Sequence, residues 1–114
     1  MSPSAPAGWS PRRGEIYLVQ MDKLQPALIL STDVLNRHSL DVCVVPITSV
    51  HRGAFSLRVA LLAGEGGLDT DSWAKCDQVT TLEKSRLSYP ALGRLSTSTL
   101  HKIEGYVKAA LQLP

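Results

Sequence analysis

Short apolar stretches alternate with polar breaks along most of the chain, and only its C-terminal segment carries a helical period. "GEIYLVQM" (14–21) puts Glu15, Tyr17, Val19 and Met21 on one face of a strand, with Ile16, Leu18 and Gln20 on the other, the two-residue period of a pleated backbone. "DKLQP" interrupts that run. "ALILS" (27–31) then resumes as a continuously apolar second strand, leaving Asp22 to Pro26 as a tight charged connection too short for a helix. "TDVLNRHSL" has room for one helical turn capped by Thr32 or Asp33. "DVCVVPITS" (41–49) reads as the third strand; Pro46 has no N–H to give a ladder, so it marks an edge, a bulge or the strand's last stretch. In "FSLRVAL" (55–61), Phe55, Leu57, Val59 and Leu61 point inward and Ser56, Arg58 and Ala60 outward. Past the glycine-rich "LAGEGGLDTD", "SWAKCDQVTTL" (72–82) forms one strand, or two with a break at Asp77-Gln78, and "EKSRL" suits a short helical turn. The last segment, "LSTSTLHKIEGYVKAALQL", places Leu100, Ile103, Val107 and Leu111 on one helical stripe with Ser96 as N-cap.

Four to six short, mostly antiparallel strands and one amphipathic helix predict a mainly β (α+β) fold. The architecture expected is a small curled sheet or an SH3-like small β-barrel, with the C-terminal helix packed on it. The 114 residues suit a single domain, assigned to residues 12–114 behind a loose arm at 1–11. That arm, rich in Pro, Ser, Ala and Gly, lacks the apolar core of a secretory signal, and Trp9 is the residue expected to order it. A composition of 44% hydrophobic and 19% charged residues is ordinary for a globular protein. No stretch approaches the roughly 20 apolar residues that span a bilayer, so no membrane partner is expected.

Two cysteines, Cys43 and Cys76, do not make a disulfide framework; they read as buried free thiols in a reducing, cytoplasmic setting. His38, His51 and His101 fall in no CxxC or HxxxH spacing, so neither a metal nor another cofactor is expected. A net charge of +2 does not by itself call for a nucleic acid. Its distribution says more: Arg12, Arg13, Lys23, Arg37, Arg52 and Arg58 in the first half face only Glu15, Asp22, Asp33 and Asp41 there, and a basic face is expected.

The third strand ends abruptly in Thr48 and Ser49, followed by His51 and Arg52. On the residues alone this is either a strand entering a polar loop or a site for an anionic substrate. "RRGEIYLVQMD", "PALILSTDVLNRHSLDVCVVPITS", "DTDSWAKCDQVTTLEKSRL" and "LGRLSTSTLHKIEGYVKAAL" together resemble the MazF/PemK toxin family over residues 12 to 112. No single motif is long; their order and spacing carry the resemblance. It implies an SH3-like barrel of the CcdB/PemK-like kind, a homodimer, and the toxin of a type II toxin–antitoxin system. The activity it implies is a metal-independent, sequence-specific endoribonuclease (an mRNA interferase) acting on single-stranded RNA. A cognate MazE-like antitoxin, with an acidic and hydrophobic tail over the RNA groove, is the partner implied.

Thr48 falls on the family's P-[IL]-T position, which implies a hydroxyl that holds or protonates the scissile phosphate. The chain departs from the family at Gln25. Members have a longer connection reading EQ-x-G-x-R-P, whereas "MDKLQP" is shorter and puts Gln25 where the catalytic arginine stands. Glutamine hydrogen-bonds a phosphate without neutralising its charge, so Lys23 and Arg52 become candidates for the missing cation. His51 beside them carries an imidazole, a side chain that suits a base or acid near neutral pH; the other reading of all three is a solvated loop residue. In "CDQ" (76–78), Asp77 and Gln78 either hydrogen-bond a base edge or satisfy backbone groups at a strand break. Ser49 and Arg86, the latter like Arg94 foremost a surface or interface charge, complete the candidate RNA-binding residues. Trp73 and Tyr17 can stack on bases, though strand aromatics are more often core. Two alternatives stand beside cleavage: a binding module that lost catalysis at Gln25, and a CcdB-like protein-binding toxin, for which "AALQLP" offers few anchor residues.

Overall fold

The computed structural model describes residues 4–51 and 57–114. In it β1 (Glu15–Gln20) turns directly into β2 (Leu24–Ile29), and a short helix α1 (Asp33–His38) leads to β3 (Asp41–Thr48). β4 (Arg58–Leu61), β5 (Ser72–Lys75), β6 (Thr80–Glu83) and β7 (Leu87–Arg94) follow, and α2 (Thr97–Leu111) closes the chain. Every pairing is antiparallel, as short connections between successive strands require. The seven strands run β4-β5-β3-β2-β1-β7, with β6 also on β3. The outermost strands β4 and β7 make no pair with each other among the described residues, so the mainly β fold is an open sheet that α2 packs against.

Both faces of the sheet are apolar, which explains why the strand periodicity is only half clean. Ile16, Leu28, Val45, Ile47, Val59, Leu61 and Ala74 pack with Ile103 and Val107 of α2. On the opposite face Tyr17, Val19, Ala27, Ile29, Val42 and Val44 form a second cluster, against which Trp9 packs. Trp9 meets Tyr17 and Tyr89 edge-on at 5.8 and 6.0 Å, a favoured aromatic geometry. The arm is thus tied to the sheet from Trp9 onward, and an ion pair between Arg13 and Glu104 joins it to α2.

Several expectations change. β2 begins at Leu24 rather than Ala27, because Leu24, Gln25 and Pro26 pair with Gln20, Val19 and Leu18; the charged connection shrinks to the turn around Asp22. The 72–82 run is two strands, separated by a turn in which the Gln78 N–H donates to the Lys75 carbonyl at 3.0 Å. Of the fourth strand, Phe55 and Ser56 lie outside the described residues, while Val59 and Leu61 are buried as expected. β7 was not expected: Pro90 and Gly93 disguise it, and its register against β1 jumps from Ile16–Gly93 to Leu18–Ser88, so Tyr17 alone faces a bulged stretch. Leu111 is 53% exposed and leaves the predicted stripe, of which Ile103 and Val107 are buried. Cys76 is buried, but Cys43 is only half-buried beside Thr81.

The predicted caps are present. Thr32 accepts from the Leu35 N–H, and Ser96 accepts from the Thr99 N–H. Pro46 sits inside a central strand. Its place there is explained by β3 changing partner at that point: β6 pairs up to Val44, and β5 takes over from Ile47. No helix is long and apolar enough to cross a membrane among the described residues.

Candidate active site on the sheet face opposite α2

Strand register places the candidate residues. Ile47 pairs with Ala74, and Ala74 with Val59, and all three point into the core beneath α2. Their neighbours one residue away therefore point to the other face. Thr48, Trp73 and Ala60 form one cross-strand row on that face. Arg58 and Lys75, paired on β4 and β5, form part of the next row. The β2–β3 register (Ala27–Pro46, Leu28–Val45) carried two residues further sets Gln25 opposite Thr48, and carried on from Ile47–Ala74 sets Pro46 beside Lys75. The two rows read Gln25–Thr48–Trp73–Ala60 and Ala27–Pro46–Lys75–Arg58.

A groove of about 590 Å³ opens beside Pro46 and Lys75 of the second row. Gln25, Pro46, Lys75, Gln78 and Arg86 line it, together with Asp22. Gln25 donates from Nε2 to Met21 Sδ at 3.1 Å. Arg86 donates from Nη1 to the Gln20 carbonyl at 3.2 Å, which pins it across the β1–β2 turn.

The segment after β3 folds back over this face. Thr48 Oγ1 accepts from the Val50 N–H at 3.1 Å, and its own proton has no acceptor among the described residues. Arg58 donates from Nη1 to the Val50 carbonyl at 3.2 Å. The His51 ring stands 5.0 Å from the Trp73 ring, tilted by 53°. Trp73 thus belongs to the site face, while Tyr17 is core, 1% exposed, with its hydroxyl on Glu15. Burial and that carboxylate raise the Tyr17 pKa far above its usual range.

The cations are where the sequence reading fell short. Lys75 was absent from it, yet this half-buried lysine stands directly opposite Arg58. Burial, then the charges of Arg58 and of Lys23, hold the Lys75 pKa below its ordinary value, with Asp77 opposing weakly. Lys23 is exposed in the turn but close enough to act on Lys75. Arg58 Nε is buried without a hydrogen-bond partner among the described residues. A sequence signal for the pair existed only in Arg58, on a predicted outward position, and in a second basic residue on the following predicted strand.

The other candidates divide. Gln78 is in the groove, and Asp77 is exposed on the turn before it. Ser49 lies apart, lining a separate cavity of about 340 Å³ with Leu18, Pro26, Ile47, Thr70 and Leu92. Arg52 lies outside the described residues. Among the described residues no three His, Cys, Asp or Glu side chains converge as a metal site would need.

Comparison with known proteins gives this arrangement its context. Residues 12–111 match the model of the PemK-like, MazF-like toxin of type II toxin–antitoxin systems. Endoribonuclease MazF9 of Mycobacterium tuberculosis is 30% identical over 115 residues, covering 90% of this chain and 97% of that protein. A solved mycobacterial endoribonuclease in complex with its cognate antitoxin superposes with a TM-score of 0.80 at 31% identity, covering 92% of this chain and 98% of the other. The M. tuberculosis toxin MazF-mt6 gives 0.78 at 31% identity, covering 88% of this chain and 98% of the other. With the family model spanning the whole sheet and α2, the chain belongs to the PemK-like, MazF-like toxins of type II toxin–antitoxin systems.

Proposed function

We propose that the protein is a toxin that cuts single-stranded RNA, mRNA in the first place, without a metal, and that a cognate antitoxin restrains it. The observation that carries this reading is the placement of Thr48, with a hydroxyl proton to give, on the same sheet face as Lys75, Arg58 and the His51–Trp73 pair. Its family, and relatives named as endoribonucleases over almost their whole length, support it.

In the proposed reaction the ribose 2′-oxygen attacks the adjacent phosphorus, so a P–O2′ bond forms and the P–O5′ bond breaks. A base takes the 2′-hydroxyl proton, an acid protonates the departing 5′-oxygen, and cations offset charge growing on the non-bridging oxygens. The products are a 2′,3′-cyclic phosphate and a 5′-hydroxyl. DNA has no 2′-hydroxyl and does not react. Thr48 donates its O–H to the phosphate, His51 handles a proton, and Trp73 beside it offers a face on which a base stacks. Gln25 and Gln78 supply neutral hydrogen bonds to the strand, and Arg86 a phosphate contact further along the groove. Lys23, exposed in the β1–β2 turn and acting on Lys75, adds a further positive charge.

The solved relative bound to its cognate antitoxin supports a partner of that kind here, and an acidic segment fits the cationic end of the groove. The protein acts as a homodimer in the cytoplasm. The test is incubation of the purified chain with a long single-stranded RNA in EDTA, followed by end-group mapping. Cuts at a short recurring sequence, with cyclic phosphate ends and lost in Thr48→Ala, are expected. A folded protein that leaves RNAs of varied sequence intact while still binding them would instead support the binding module, with Gln25 as its cause.

A further inference from the structure

Two cations facing each other across a strand pair weaken a sheet. Arg58 and Lys75 do so while half-buried, and the ion pair found among the described residues, Arg13–Glu104, involves neither of them. Lys23 adds a third positive charge to the same neighbourhood, and Asp77 is the carboxylate that reaches Lys75, as the weakest of the four influences on it. Arg58 also keeps a buried Nε with no partner among the described residues. This is charge held ready for an anion that the described residues do not supply.

The location says which anion. Lys75 is one row from Thr48, across the β3–β5 pairing, and a diagonal neighbour of that kind lies about 7–8 Å away, within reach of a long side chain. Arg58 is fixed toward the same corner by its bond to the Val50 carbonyl, whose residue also donates to Thr48. Side chains directly opposite have Cβ atoms about 5 Å apart, so an ammonium and a guanidinium there can grip two oxygens of one phosphate. Gln25, which stands opposite Thr48 by register, brings no charge.

We propose that Lys75 and Arg58 form the cradle for the scissile phosphate, supplying from β5 and β4 the positive charge that the β1–β2 connection lacks at Gln25. The proposal rests on the ribonuclease reading above. Neither residue changes its bonding in the reaction; both hold the phosphate and offset charge as the P–O2′ bond forms and the P–O5′ bond breaks.

The experiment compares wild type with Lys75→Met, Arg58→Met, Lys75→Arg and Thr48→Ala. Single-turnover cleavage of an RNA containing one mapped site is measured with the thermal midpoint of each variant. Binding of the same oligonucleotide, made 2′-deoxy at the cut, is followed across a salt series. Lys75→Met is expected to slow cleavage about 100-fold or more and to leave the midpoint equal or higher, because a like-charge pair has been removed. Its binding should lose about one phosphate's worth of salt dependence, and Lys75→Arg should retain most activity. If both Met variants cleave within a factor of about two of wild type while Thr48→Ala is inactive, on the scale of an ordinary donor loss, the cradle is wrong and the ribonuclease reading stands. Loss of cleavage with a fallen midpoint that Lys75→Arg does not restore makes the pair structural and also overturns it. If wild type cuts no RNA, the ribonuclease reading fails first, and an unchanged salt slope in Lys75→Met removes the cradle as well.

Discussion

Thr48 carries one oxygen that already accepts a backbone hydrogen bond and one proton that has no acceptor among the described residues. Replacing it by alanine removes that proton at the cost of a half-exposed methyl environment, so Thr48→Ala is expected to lose about 100-fold or more in rate with little change in melting, and Thr48→Ser to recover much of it. Gln25→Arg tests the same site from the other side: a guanidinium opposite Thr48 should raise cleavage and should rescue Lys75→Met in part. Lys75 gives the pH dependence its direction. Its cationic form is the one that holds phosphate, and its pKa in the fold lies below the ordinary 10.5. Cleavage should therefore decline on the alkaline side before pH 10.5 is reached, and Lys75→Arg should push that decline higher. For stability the sign is opposite: between the lowered folded pKa and 10.5 the unfolded chain binds more protons, so this lysine adds stability as pH rises through that window and subtracts it below. Urea titrations of wild type and Lys75→Met across that range measure the difference. The place of Thr48 at the exit of β3 was legible in the sequence because an apolar run ending in a hydroxyl is a local pattern, while its proposed role came from the family resemblance alone. The Arg58–Lys75 pair was not, because the glycine-rich loop between the two strands leaves their register open until the core of Val59, Ala74 and Ile47 fixes it.

At the scale of elements, β7 decides how the sheet ends. Its Gly93 lies so close to the 3-10 turn at Glu65–Gly67 that an added Cβ would stand 2.4 Å from the Gly66 carbonyl carbon, and one on Gly67 would stand 2.0 Å from the Leu92 oxygen. Backbone meets backbone there, with no flexible side chain to yield. Gly93→Ala is expected to cost roughly 2–3 kcal/mol, measured by chemical denaturation, whereas Gly105→Ala, facing open space in α2, should stabilise by up to about 1 kcal/mol. The same glycine and Pro90 hid β7 from the sequence: residues that break an ordinary strand are tolerated where the strand bulges against Tyr17. β1, β3 and α2 were legible because each buries a face with a regular period; α2 was overread at Leu111, which stands exposed.

For the whole molecule, the sheet divides labour between its faces. One is closed by α2, the other is covered in part by the arm at Trp9 beside Tyr17, and Thr48, Trp73, Lys75 and Arg58 share that second face. A homodimer is expected, and sedimentation should give twice the 12.3 kDa chain mass. Overall charge said little about function, since +2 averages a cationic corner with the acidic Asp41 and Glu83 further along the same groove. The most direct measurement is a map of where RNA sits: an uncleavable oligonucleotide, 2′-deoxy at the cut, titrated into the isotopically labelled protein with backbone amide shifts followed residue by residue. Shifts concentrated at Gln25, Thr48, Val50, Trp73, Lys75 and Gln78, with α2 silent, are the result expected. Shifts centred instead on Leu18, Thr70 and Leu92, around the second cavity, with the Thr48 corner unmoved, would contradict it.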